Sequence, residues 1–273
     1  MSLRVSALSA RFIPLLSFLL LNTPLGYVGA LFHEEGHCIL ALAEGGTCTG
    51  VVIGQSGDFA LANSYLVSIG GWIGQYFLVA VVVLIAWKFE PKGFLAKSVV
   101  TIFVVDNLLN PPAYIASLQG DSAGVLTILE GTGINQLVSV AIVESAAIVL
   151  FLVGGFVAWR YLRKYFAEVF GWVGAKRSSA AAALFIAGGA ASILLVYTPF
   201  GEAALTNNVA GQILVALAFL VIFSFIVIPA PPPAWKATDN AGPSLTTVVF
   251  VVILFLEAQL FYYFVLPIWL PFP

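Results

Sequence analysis

The chain contains two histidines, and both fall within five residues: His33-Glu34-Glu35-Gly36-His37. Side chains four apart share one face of a helix, so both imidazoles can reach a single ion while Glu34 projects beside them. Two imidazoles, one carboxylate and an open position for water suit zinc. The ion lowers the pKa of its water toward neutrality, and a neighbouring glutamate can take the proton. Random scattering gives this arrangement with a chance on the order of 2 in 10,000, which favours a site over two inert, packed imidazoles. The inert alternative must also place Glu34 and Glu35 in an apolar run, where an unpaired charge is expensive.

Two histidines need a third ligand, and Asp106, Asp121, Glu144 and Glu257 are the candidates. Counting the helical rise back from Glu44 sets His37 and His33 about 10 and 16 Å below the outer surface. Pro111-Pro112 is expected to end the preceding helix near Asn110. Residues 111–121 would then be irregular chain at the depth of the histidines, tolerated there if they line a wet cavity or lie buried in protein. Asp121, in Gln119-Gly120-Asp121-Ser122-Ala123, is placed to reach the ion, and Asp106, deeper in the helix, stays open as an alternative.

The elements that must position these groups belong to a membrane. Of 273 residues, 61% are apolar and 9% charged, and the mean hydropathy is +1.04. A soluble globule carries roughly 25% charged residues. The same figures exclude disorder, a collagen-like repeat and a disulfide scaffold. Nucleic-acid binding through a basic surface is excluded as well, because 11 Lys+Arg face 13 Asp+Glu for a net charge of −2. Cys38 and Cys48 have no metal-motif spacing and nothing requires them to pair, which leaves the redox compartment open.

A bilayer core about 30 Å thick takes about 20 apolar residues per helix. Such runs occur at 12–44, 61–87, 97–118, 134–159, 178–199, 207–229 and 244–268. The expectation is an all-α polytopic protein of about seven transmembrane helices, with a small β-hairpin after the first. The first run is long and carries Pro24 as a natural kink, so it is one bent crossing or two short segments. As one crossing it puts all 11 basic residues on the inner side, with Glu44, Asp58, Asp121, Glu130 and Glu202 outside. That pattern sets the N-terminus in the cytoplasm of a multi-pass protein, most simply in the cell membrane. Val28-Gly29-Ala30 is faintly like a signal-peptide cleavage site, but the run stays apolar beyond it and reads as a retained anchor.

Residues 45–60 are Gly-rich with β-branched pieces, which reads as the hairpin. Four prolines stiffen the linker 230–243. Residues 1–160 are expected to form the core that holds the metal, and 161–273 a further bundle of three spans. The small residues of 178–192 suit close helix packing in lipid. Phe261, Tyr262, Tyr263 and Trp269 suit an interfacial belt.

A membrane-embedded His-Glu-x-x-His followed by a distal Asp resembles the site-2 protease family of intramembrane zinc metalloproteases, most closely its M50B-like branch. The matching residues are His33-Glu34-Glu35-Gly36-His37, Gly45-Gly46, Ser56-Gly57, Gly71-Trp72-Ile73-Gly74, Gly120-Asp121-Ser122-Ala123 and Thr132-Gly133. The resemblance implies one zinc ion held by His33, His37 and Asp121, with Glu34 as general base and Asn110 in substrate binding. Better-known members carry Leu-Asp-Gly at the third ligand, where this chain has Gln119-Gly120-Asp121. They also hold the zinc nearer the cytosolic face, whereas the charge pattern here sets it nearer the outer face.

The expected activity is hydrolysis of peptide bonds in or near the membrane, on a membrane-protein or peptide substrate. Two other functions fit the same residues. One is a transporter or metal-handling protein using Glu34, Asp106, Glu144 and Glu257 as a polar pathway, although no inverted repeat of broken helices is present. The other is a catalytically inactive relative that keeps the zinc.

Overall fold

The computed structural model describes residues 9–48, 51–52, 55–56, 65–116, 118, 120–170 and 245–260. Six helices run through them: α1 Ser9–Ala43, α2 Tyr65–Phe89, α3 Gly93–Ala116, α4 Asp121–Gly131, α5 Gln136–Phe170 and α6 Leu245–Leu260. Between α1 and α2, β1 (Val51–Val52) pairs antiparallel with β2 (Gln55–Ser56), with Val51 opposite Ser56. Leu66–Phe89, Gly93–Ala116 and Gln136–Val169 are each long and apolar enough to cross a membrane. The expected spans 178–199 and 207–229, the linker 230–243 and the aromatic residues 261–269 lie outside the described residues.

The 12–44 run forms one continuous helix, α1, with Pro24 inside it. At 1.5 Å per residue it is about 52 Å long, well beyond a bilayer core. It stops at a glycine. Gly45 has φ 80°, which lets its N–H reach Leu42 O at 3.1 Å and the Gly46 N–H reach Ala41 O at 2.8 Å. This double turn satisfies carbonyls that the helix end would otherwise leave bare. At the other end of the bundle, Glu90 and Gly93 take positive φ around Pro91 to join α2 to α3. Asn135 opens α5 by accepting the Leu137 N–H at 2.8 Å.

α3 corrects one expectation. It does not end near Asn110 but continues through Pro111 and Pro112 to Ala116. The two prolines remove the N–H groups that would bond the carbonyls of Asn107 and Leu108. α5 covers the second of these. A Cβ on Gly154 would lie 2.9 Å from Leu108 O, so only a glycine lets the α5 backbone close over that freed carbonyl. Gly154→Leu should therefore lower stability by about 1–3 kcal/mol through overpacking, read as a fall in melting temperature in detergent.

α3 is the central helix. Ile102, Phe103, Val104 and Val105 are buried, together with Leu21 of α1, Val79 of α2, Trp159, Leu162 and Tyr165 of α5, and Val251 of α6. α2 and α5 turn large apolar groups outward instead: Trp87 is 83% exposed and Leu137 78%. Such a surface would drive association in water and suits a hydrocarbon solvent.

Candidate metal centre

α1 and α2 meet backbone to backbone, and that contact determines where the imidazoles go. A Cβ on Gly70 would lie 2.8 Å from Gly36 O, one on Gly74 would lie 2.5 Å from Phe32 O, and one on Gly36 would overlap Gly70 O. Gly70-x-x-x-Gly74 is the small-residue spacing that lets membrane helices approach closely. The helices run antiparallel, so the α1 stripe Gly29, His33, His37 faces the α2 stripe Gln75, Gly71, Val67, each with a four-residue step.

Gly71 opens the space that the rings occupy. A Cβ there would lie 2.5 Å from His37 Nε2 and would overlap His33 Nε2 as well. The His37 ring is fixed from behind, because its Nδ1 donates to Val67 O at 2.6 Å. That bond puts the ring's lone pair on Nε2, the usual arrangement for a metal-binding imidazole.

The third group arrives from α4. Asp121 is the first residue of that helix, preceded by Gly120 at φ 56°. A side chain on Gly120 would overlap the Tyr114 hydroxyl, so the turn into α4 requires glycine on both counts. Asp121 Oδ2 lies 2.8 Å from His33 Nε2 and 3.3 Å from His37 Nε2. The two Nε2 atoms are 3.3 Å apart. The rings themselves meet edge-on at 5.0 Å, and Tyr114 stands edge-on to His33 at 6.2 Å.

Do these atoms fit an ion? Ligands about 2.05 Å from a tetrahedral zinc are separated by roughly 3.3–3.4 Å. Two of the three edges match, and the third, at hydrogen-bond length, needs about half an ångström of opening. His33, His37 and Asp121 are the group of three among the described residues that could hold a metal ion. His37 is nearly enclosed, with 4% of its side chain exposed, against 15% for His33 and 17% for Asp121. Solvent therefore reaches the group from the side of His33 and Asp121. Glu34 is buried beside them, about 60° round α1 from His37.

The other candidates lie elsewhere. Asp106 Oδ2 would meet a Cβ of Gly26 at 3.4 Å, seven residues and about 10 Å along α1 from His33. Glu144 is partly buried on α5 and Glu257 is exposed on α6; neither belongs to the group. Asn110 is partly buried one turn before Tyr114 on α3. One turn deeper than the histidines, Gln75 Nε2 donates to Asn107 Oδ1 at 2.8 Å, and Asn107 Nδ2 donates to Phe103 O at 2.8 Å. This buried polar pair joins α2 to α3 beneath the site.

No family model, curated protein or solved structure matches the chain. The geometry carries the functional reading.

The residues that the histidine spacing did not reveal are Gly71, the Val67 carbonyl, Tyr114 and the Gln75–Asn107 pair. Gly71 stands in the sequence within Gly71-Trp72-Ile73-Gly74, and only the four-residue step Val67, Gly71, Gln75 sets it opposite the histidines. Nothing in the sequence points to Tyr114. The spacing of the cysteines left their pairing open, and the structure joins Cys38 and Cys48 in a disulfide, with their Cα atoms 5.3 Å apart.

Proposed function

We propose that the chain is a membrane-embedded zinc metallopeptidase that hydrolyses peptide bonds in or beside the bilayer. The observation that carries this reading is the triangle of His33 Nε2, His37 Nε2 and Asp121 Oδ2, with edges of 2.8–3.3 Å. In this reading the bundle has seven crossings, with a hairpin between the first two. His33, His37 and Asp121 would hold the zinc, which would supply Lewis acidity toward a carbonyl and a water of near-neutral pKa. Glu34, buried beside the triangle, would hold the proton given up by such a water and pass it to the leaving amine. His37, pinned by Val67, holds the rigid side of the triangle, and its enclosure keeps bulk water away from it. The scissile segment must be unwound, and the edge of β1 or β2 can pair with it by strand addition. Asn110, on the face of α3 that leads to Tyr114, is assigned to substrate binding.

Metal content of the purified protein tests the ligand set. Wild type is expected to hold one equivalent of zinc, His33→Ala and Asp121→Ala to lose it, and Asp106→Ala to keep it. A full equivalent retained by Asp121→Ala would remove that carboxylate from the site. Ready exchange of the metal together with ion flux in liposomes would favour transport. Tightly held zinc without cleavage of any membrane peptide would favour an inactive relative.

A further inference from the structure

The disulfide occupies an informative place in the bundle. Cys38 directly follows His37 and is 1% exposed; Cys48 is 8% exposed and lies three residues before β1. The bridge therefore ties the last turns of the metal-binding helix to the segment leading into the strand pair. Disulfides persist in oxidising compartments and are rare where glutathione and thioredoxin keep thiols reduced. The end of α1 that carries Cys38 thus belongs on the oxidising side of the membrane.

The basic residues give an independent second line. α2 runs antiparallel to α1, which carries Lys88 and Lys92 away from the disulfide, and α3 starts again from that far end. Lys97 pairs there with Glu168, and Ser98 Oγ lies 2.7 Å from the Tyr165 hydroxyl. These contacts bring the end of α5, with Arg160, Arg163 and Lys164, to the same level. Arg11 lies there too, at the start of α1. Every basic residue on the described helices thus lies at the end opposite the disulfide, whereas exposed Glu44 and Glu130 lie at the disulfide end. Lys and Arg gather on the cytoplasmic side.

We propose that the metal centre opens to the oxidising, non-cytoplasmic face and takes peptide bonds presented from that face, with the Cys38–Cys48 bridge holding the β1 segment beside it. His37 is six residues, about 9 Å, before the end of α1 at that face. The substrate class rests on the peptidase reading; the face does not. Membrane-impermeant maleimide labelling of intact cells separates the two. Thr132→Cys, in the exposed turn between α4 and α5, should label from outside, and Lys92→Cys only after permeabilisation. Cys38 and Cys48 of the wild type should resist alkylation under denaturing conditions until reduced, then shift by two labels. Free thiols at both positions, or Lys92→Cys labelled from outside, would overturn the assignment. Two single-span reporters then test the substrate, one with a helix-breaking segment in the outer third of its span and one in the inner third. Cleavage of the outer reporter is expected, and cleavage of the inner one alone would overturn the proposal. If neither is cleaved while labelling follows the expected pattern, the peptidase reading fails and the face stands.

Discussion

Glu34→Gln should leave the zinc in place and lower kcat by about 10²–10⁴, the usual contribution of a positioned general base. The substitution keeps the shape and length of the side chain. It removes only the ability to accept a proton. Glu34 is not one of the three atoms of the triangle, so the ligand set stays intact and metal content should stay at one equivalent. KM should change little, because proton transfer belongs to the transition state rather than to substrate binding. Glu34 is buried, which both desolvates the base and shields the transferred proton. Zinc-loaded variant turning over at the wild-type rate would take Glu34 out of the mechanism. Loss of zinc from the variant would instead make Glu34 part of the metal's support.

How much of this was legible in the sequence depends on how local each cause is. The His33–His37 spacing is a property of five consecutive residues on one helix, and the structure turns both Nε2 atoms to one point. Asp121 could be singled out as a candidate, but by reasoning that was only half right. The chain was expected to leave helical form at Pro111, and α3 instead runs on to Ala116 before a short turn at Leu118 and Gly120 delivers Asp121. Local proline rules do not include the close packing of Gly154, on a different helix, against the freed Leu108 carbonyl. The disulfide was illegible for a related reason. A separation of 10 residues says nothing until the glycine turn at Gly45 folds the chain back on α1. The apolar character of the spans, by contrast, is a sum over many residues and survives any error in their boundaries.

Gly71→Ala is the other substitution with a large expected effect, and opposing contributions decide its outcome. In an ordinary helix the change would stabilise by up to about 1 kcal/mol, because alanine is the better helix former. Here the added methyl falls within 2.5 Å of His37 Nε2 and against His33 Nε2. A retreat of the helices would open the close backbone contact at Gly36, Gly70 and Gly74. His37 cannot simply swing aside without giving up its bond to Val67 O. The rings must therefore move apart from one another, and the 3.3 Å spacing that suits a tetrahedral ion is lost. Zinc affinity should fall at least as far as when the supporting partner of a metal ligand is removed, about 10–100-fold. The response to the metal makes the result specific. Added zinc should raise the melting temperature of wild type and leave that of the variant unmoved, because only binding to the folded state stabilises it. A variant that binds zinc with wild-type affinity would mean that the imidazoles reach their ion from some other rotamer, and that Gly71 serves the helix contact alone.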